Sequence, residues 1–374
     1  MDIAILGLGT IGSGVYDLLK DNPDISVKRI LDIRKWMDIM TTDINDILND
    51  PSIEVVVETM GGLHPAYEFA SACLNAGKSY ITANKFLVSE YASELKQAAD
   101  KNGVAFLFSA ACGGGIPYLS NLSKVRAVEP ITKVGGIFNG TTNYILDNIF
   151  TRGETYDSAL KKAQELGYAE KDPSADVDGL DTQRKLVLAC AVAEGSLVKP
   201  DDIPTFGIRN IAKPDIDYAV SHASVIRLTA NADLNGSEPK AYVCPALCSL
   251  SSIESSIHLN VNFCRYEGEK IGQFTFSGQG AGKYPTANNI IRDIYCVMKG
   301  EKAMLPDSIF GTHVNRECCR RFYIRTARPE KFADIACSET RIAGQSCIET
   351  NCIPIGTVAD IVREVPDTFV MIID

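Results

Sequence analysis

A chain of 374 residues, 45% hydrophobic and 22% charged, is long enough for two or three domains with sizeable cores. A formal net charge of −10 without a basic patch argues against a nucleic-acid binder. No apolar run reaches the length of a membrane span, and Met1 leads into a strand pattern without the basic start of a signal peptide, so the expected setting is the cytoplasm, with the twelve scattered cysteines reduced.

Residues 2–6, DIAIL, read as a short buried strand. Gly7-Leu8-Gly9-Thr10-Ile11-Gly12 follows at once, and SGVYDLLKD reads as a helix. In that order each glycine has a task. Gly7 permits a tight turn, Gly9 lets the backbone approach a pyrophosphate, and Gly12 lets helix and strand pack closely. The free N–H groups of the helix start then face the phosphates. A glycine turn without a ligand is the plainer alternative. The second strand, ISVKRILDI, contains Asp32, placed to hold ribose hydroxyls and so to favour NAD. Arg34 and Lys35 follow and would instead suit a 2′-phosphate and NADP, and all three also fit a solvated strand end. The choice stays open here.

The strand EVVVET leads to Met60-Gly61-Gly62, then a helix, PAYEFASACLNAG, and the strand SYITA, which ends in Asn84-Lys85. In open parallel sheets ligands gather at the carboxyl ends of strands, so Gly61, Gly62, Asn84 and Lys85 are candidates to line a crevice. A helix, ASELKQAADKNG, and the strand VAFLFSA come next, running into Ala111-Cys112-Gly113-Gly114-Gly115-Ile116-Pro117. Three glycines there serve unusual backbone conformation or close ligand approach.

Beyond residue 125 the strand TKVGGIF enters Asn139-Gly140-Thr141-Thr142-Asn143 and the helix YILDNIF. That polar turn suits either substrate contact or a helix cap. GYAEKDPSADVDGLDTQRK then gathers Glu170, Asp172, Asp176, Asp178 and Asp181 ahead of LVLACAVA, a buried helix in which Asp178 is the expected N-cap. Asp181 and Lys185 are four apart and share a helix face, which on its own describes a surface ion pair as well as a pocket. Alternation in ASVIRLTANADL, PKAYVCPALCSL, NVNFCRYEG and GQFTFSG predicts a second sheet. GAGKYPTANNIIRDIYCVMKG, with Gly282 in its turn, reads as a helix that returns to the first domain and closes the cofactor cleft. The tail reads as strand (RRFYIRTA), helix (PEKFADIACSE), strand (SCIETNC), helix (GTVADIVREV) and strand (TFVMIID).

With GLGTIGSG, ETMGGLHPA, TANK, CGGGIP, GIFNGTTNYIL and GYAEKDPSADVDGLDTQRK in order, and GQGAGKYPTA following, the chain resembles homoserine dehydrogenase from residue 2 to about 295. The resemblance implies interconversion of L-homoserine and L-aspartate 4-semialdehyde with NAD or NADP, in threonine and methionine biosynthesis, by a homodimer. It implies that Lys185 exchanges the proton at the substrate oxygen, that Asp181 contacts the reacting end, and that Lys85 is shared by cofactor and substrate. Glu170 would bind the substrate ammonium beside Asp176, with Gly140 and Thr141 lining the same site. The cofactor would touch Gly7, Leu8, Gly9, Thr10, Ile11, Gly12, Asp32, Arg34, Asn84, Lys85 and Gly282.

The implied fold is α/β: a Rossmann-type doubly wound parallel sheet over 1–125, completed by about 281–310, and an α+β substrate and dimerisation domain over 126–280. A small α+β module over 320–374 bears a loose resemblance to an ACT-type regulatory domain, and a structural or dimer-stabilising tail is the favoured alternative. A sodium site is implied at the carbonyls of Cys112, Gly114 and Ile116, completed in the family by a Glu where this chain has Ser109. Cys112 stands at a position usually aliphatic in the family, and Phe206-Gly207-Ile208 replaces a block usually beginning with Glu. These departures leave two rival readings. One is an aldehyde dehydrogenase using Cys112 as a thioester-forming nucleophile, and the other is a nicotinamide-nucleotide-binding homologue without chemistry.

Overall fold

The computed structural model describes residues 1–342 and 344–374, which form two compact units. The first comprises Met1–Pro130, Ala191–Leu197 and Gly278–Phe310. Its sheet consists of β1 (Asp2–Leu6), β2 (Ser26–Leu31), β3 (Met40–Thr41), β4 (Ile53–Glu58), β5 (Ser79–Thr82) and β6 (Phe106–Leu107), in the order β3-β2-β1-β4-β5-β6. All five pairings are parallel. Val55, Val56, Val57, Tyr80 and Ile81 are wholly buried, as continuous apolar runs require when both faces of a parallel sheet are covered. Strand order reverses between β1 and β4, so their carboxyl ends open a crevice at a topological switch point.

Helices α1 (Thr10–Leu19), α2 (Asn45–Leu48), α3 (Ala66–Asn75), α4 (Lys85–Asn102) and α5 (Tyr118–Val125) connect these strands and follow β6. The fourth begins at Lys85, seven residues before the expected ASELKQAADKNG. Asn84 caps it, accepting a hydrogen bond from the Leu87 N–H at 3.2 Å, and Tyr91 marks a kink at φ −121° and ψ 15°.

The second unit comprises Ile131–Cys190, Val198–Ser277 and Gly311–Asp374. Its helices include α6 (Gly140–Arg152), α7 (Tyr156–Glu165), α8 (Ser174–Val177), α9 (Leu180–Glu194, which runs past the unit boundary) and α10 (Lys213–Ser221). From Leu186 to Ala193 every residue of α9 is buried, so this is a helix enclosed all round, as LVLACAVA predicts. Asp178 does not cap it. It follows α8, with Gly179 in the left-handed region at φ +85°, and its carboxylate pairs with Arg209 through two 2.7 Å bonds.

The large sheet of this unit contains β7 (Ile131–Ile137), β9 (Ser224–Asp233), β10 (Lys240–Ser249), β11 (Val261–Gly268), β12 (Gly272–Gln279), β15 (Phe322–Thr326), β16 (Ala336–Ile342), β17 (Gln345–Thr350) and β19 (Phe369–Ile372). The order is β12-β11-β7-β9-β10-β19-β15-β17-β16. Short strands β8 (Ser196–Val198), β13 (Phe310–Thr312), β14 (Cys319–Arg320) and β18 (Ile353–Pro354) lie outside it. The tail thus extends the central sheet, β19 pairing in parallel with β10 at Ile372 and Ala246.

The expected helix PEKFADIACSE is corrected. Only a 3-10 turn forms at Pro329–Phe332, and Ala336–Ile342 is an edge strand, mostly exposed. Phe332 is wholly buried, and the polar CSETRI pairs along β17 with one side chain after another in solvent. Helix α11 (Lys283–Met298) belongs to the first unit, and α12 (Ile355–Glu364) covers the tail strands. Phe206 joins their core, packed with Phe322, Ile324, Ile348, Val358 and Val370. The departure at position 206 therefore carries an apolar contact to the tail.

Candidate active site

At the switch point the glycine turn is fixed by contacts within the first unit. A Cβ on Gly12 would lie 2.0 Å from the Gly7 carbonyl oxygen and 2.7 Å from Thr59 Oγ1, so no side chain fits. The Thr59 hydroxyl donates to the Gly7 carbonyl at 2.8 Å and ties the turn to the end of β4. Gly7 has φ +87°, which only glycine adopts without cost. Gly9 differs. Its Cβ would meet nothing within 4 Å and its backbone is extended, so the protein's own packing does not demand glycine there. Close approach of a dinucleotide backbone would. Thr10 and Ile11 open α1 just beyond it, and the turn fits a dinucleotide pyrophosphate at a helix start.

Asp32 ends this cradle. Its Oδ2 accepts from the Leu8 N–H at 2.8 Å, and its Oδ1 accepts from the Arg34 N–H and Nε at 3.0 Å each. The Arg34 guanidinium beside it holds the Asp32 carboxyl at about 2. Arg34 also donates to the Leu8 carbonyl at 3.3 Å and lies over the Trp36 ring at 5.1 Å. Carboxylate and guanidinium are thus both present at the ribose end of the cradle, and neither cofactor is excluded.

One residue of this region gave no signal in the sequence. Glu58 is wholly buried at the end of β4. Its carboxylate accepts from the Met60 N–H at 2.6 Å, the Gly61 N–H at 3.0 Å and the Thr82 hydroxyl at 2.6 Å. Burial pushes it up while those bonds oppose the shift. It shapes the Met60-Gly61-Gly62 turn, and Asn84 Nδ2 ties that turn to β5 through the Gly62 carbonyl at 2.6 Å. Lys85 follows, half-buried, its Nζ 5.5 Å from the centre of the Phe86 ring. Gly282, at φ +118°, precedes α11, whose first turn packs on α1: a Cβ on Gly14 would lie 2.8 Å from the Lys283 carbonyl oxygen. Lys283 also pairs with Asp17 of α1 at 2.7 Å.

In the second unit a polar cluster stands on the buried side of α9. Lys185 Nζ donates to Asp181 Oδ2 at 2.7 Å and to the Phe138 carbonyl at 2.7 Å. Both side chains are about nine-tenths buried, at 11% and 9% exposed, so the surface-pair reading fails. The Asn139 amide Nδ2 reaches Asp181 at 2.9 Å and Asp176 at 2.6 Å, joining two carboxylates. Asn139 also caps α6 by accepting from the Thr142 N–H at 2.8 Å, so one residue serves both uses weighed for the NGTTN turn. Burial, then the neighbouring Asp181, raises Asp176 above the usual carboxylate range.

The Thr141 hydroxyl donates to the Tyr168 carbonyl at 2.7 Å and anchors the loop that carries the acidic residues. Gly140 lies against a neighbouring strand of chain, where a Cβ would be 2.7 Å from the Asn260 carbonyl oxygen. The other acids disperse. Asp172 accepts from Ser174, Asp178 pairs with Arg209, and Glu170 is exposed in its turn. Asn262, which no sequence signal singled out, donates to the same Phe138 carbonyl at 2.8 Å. Cys112 is wholly buried, against its use as an accessible nucleophile. Among the described residues no group of three or more His, Cys, Asp and Glu would hold a metal ion, and no helix is long and apolar enough to cross a membrane.

A parallel sheet in this order, a ligand-ready glycine turn at its switch point, and a buried lysine–carboxylate pair define a dinucleotide-dependent oxidoreductase. Comparison with known proteins supplies the rest. Residues 7–109 match the family described as homoserine dehydrogenase, NAD binding domain, and residues 117–295 match homoserine dehydrogenase itself. A homoserine dehydrogenase of Synechocystis sp. is 39% identical over 78% of this chain and 72% of its own length. That of Bacillus subtilis is 35% identical over 79% and 72%. The solved homoserine dehydrogenase of Thiobacillus denitrificans is 27% identical with a TM-score of 0.87, covering 100% of this chain and 98% of that one. The chain belongs to the homoserine dehydrogenase family. It is an NAD(P)-dependent oxidoreductase acting on the CH–OH group of homoserine.

Proposed function

We propose that Lys185 carries the proton of this reaction. Neutral Lys185 accepts the hydroxyl proton of homoserine as the alcohol is oxidised, and its ammonium returns that proton to the carbonyl oxygen of aspartate 4-semialdehyde in the reverse direction. The bound dinucleotide supplies the hydride acceptor or donor at its nicotinamide C4. Asp181 fixes the amine through the 2.7 Å bond and the Phe138 carbonyl fixes it from a second side, so the nitrogen is aimed rather than free to rotate. The fixing of that amine beside the linked Asp176 and Asp181 carboxylates carries the reading, since burial alone also marks the Arg227–Asp147 and Arg325–Asp215 pairs.

Asp176 and Glu170 take the substrate ammonium as an ion pair, with Gly140 and Thr141 beside them. Lys85, at the end of β5, contacts substrate and cofactor, and Asn84, Gly282 and the 7–12 turn hold the dinucleotide. The protein works as a homodimer in the cytoplasm. The tail's chain order of β15, a 3-10 turn, β16, β17, α12 and β19, with β19-β15-β17-β16 side by side in the sheet, supports an ACT-like reading of the tail as a regulatory module. The test is steady-state oxidation of homoserine with NAD or NADP. Lys185→Ala should lose about a thousandfold in turnover with cofactor affinity nearly unchanged. Full turnover in that variant would overturn the assignment.

A further inference from the structure

The glycine loop after β6 is held in a way that bears on ions. The carbonyls of Gly114 and Ile116 both point at one side chain of α11. Asn289 Nδ2 donates to the Gly114 oxygen at 2.8 Å and to the Ile116 oxygen at 3.1 Å. Asn289 is 1% exposed, so this contact lies within the core of the first unit. The loop also packs too closely against the start of this helix for side chains at its glycines. A Cβ on Gly115 would lie 2.8 Å from Pro285 Cβ, and one on Gly114 would lie 2.4 Å from the Gly280 carbonyl oxygen.

One turn further along α11, Asp293 holds the start of the same loop. Its Oδ1 accepts from the Ser109 hydroxyl at 2.5 Å and its Oδ2 from the Ser109 N–H at 2.9 Å. Two side chains on one helix face therefore fasten the loop at both ends.

These are the positions at which the family resemblance implies a monovalent cation, and the residues present do not fit one. Ser109 brings no carboxylate, and its hydroxyl is committed to Asp293. Two of the three implied carbonyl ligands, those of Gly114 and Ile116, already accept N–H donors from Asn289, and the Ile116 oxygen also accepts from the Tyr118 N–H at 2.8 Å. A cation there would face the positive end of an amide dipole.

We infer that the Asn289 carboxamide takes the place of a monovalent cation, so that the glycine loop keeps its shape without sodium or potassium. The orientation of the amide is the point on which this turns. With Nδ2 toward the loop, two donors meet two acceptors, while the buried amide oxygen is left without a hydrogen-bond partner. With the amide reversed, its oxygen would crowd two carbonyl oxygens and would need a cation among them. The two orientations give opposite ion dependences.

The experiment uses the full-length protein and does not depend on the assignment of Lys185. Thermal midpoint and NADPH affinity are measured in tetramethylammonium, sodium and potassium chlorides at equal ionic strength, about 0.1 M. The expected result is the same midpoint within about 1 °C and the same affinity within about twofold, because a ligand that does not bind the native state does not stabilise it. A saturable rise in midpoint, or a tightening of NADPH by about tenfold, with sodium or potassium alone would overturn the inference.

Asn289→Asp supplies a second arm by replacing the N–H donor with an anionic oxygen. It should acquire the saturable sodium or potassium dependence that the parent lacks. A folded variant that stays indifferent to all three salts counts against the inference. If the variant does not fold, the salt comparison on the parent protein decides by itself.

Discussion

Asp181 Oδ2 stands 2.7 Å from Lys185 Nζ, one helical turn apart on a helix whose next eight residues, from Leu186 to Ala193, are all buried. A buried pair of this kind is costly to break from one side, because the remaining charge is left without its partner. Substitutions at the site therefore need a stability measurement beside every rate.

Gly9 and Gly12 separate a ligand-binding requirement from a packing one. Gly9→Ala should leave the thermal midpoint within about 2 °C, since its Cβ meets no protein atom within 4 Å, and should weaken NADPH by about tenfold or more. Gly12→Ala should destabilise the fold itself, because its Cβ would sit 2.0 Å from the Gly7 oxygen. Melting curves and cofactor fluorescence titrations on both variants check the contrast.

Asp176 carries a pH dependence. Burial and Asp181 raise its folded value above the ordinary 3.8, so on acidification it takes up a proton before an unperturbed carboxylate would. If it binds the substrate ammonium, kcat/KM for homoserine should fall on the acid side with an apparent pKa above 3.8, and Asp176→Asn should remove that limb. Stability moves in the opposite sense. Between 3.8 and the raised folded value the native state binds more protons than the unfolded chain, so this group's contribution declines as pH rises through that window. Parallel pH profiles of kcat/KM and of the thermal midpoint check both signs.

A role for Arg34 in cofactor choice is open to direct test. Asp32 is held ionised at about 2 with both oxygens engaged by Leu8 and Arg34, while the guanidinium remains half-exposed over Trp36. Arg34→Ala should weaken NADPH by about tenfold, the worth of a charge-assisted phosphate contact, and change NADH by less than about twofold. Side-by-side titrations read this directly.

Cys112→Ser should keep turnover within about threefold, since a wholly buried thiol acts as a small apolar group. Loss of activity in this variant, together with inactivation by alkylation, would favour thioester chemistry instead.

Local spacing made part of this molecule readable in advance. The 7–12 turn directly follows β1, and the four-residue step from Asp181 to Lys185 fixes a shared helix face, so both were legible. Contacts across long stretches of chain were not. Asn262 reaches the Phe138 carbonyl from 124 residues away, and Arg209 takes Asp178 out of its expected capping role from 31 away. Glu58 looked like the end of a strand, and only folding shows that three donors converge on its carboxylate. In the tail, the edge strand Ala336–Ile342 is mostly exposed and lacks the alternating apolar pattern that marks the inner strands, which is why it read as helix.

The most direct measurement is amine rescue of Lys185→Ala. The account predicts that homoserine oxidation, lost in the variant, returns in part when methylamine is added, and that its rate follows the basicity of the amine supplied. A variant that binds homoserine and cofactor normally, yet gains nothing from any small amine while Asp181→Asn alone abolishes turnover, would contradict a proton carried by Lys185.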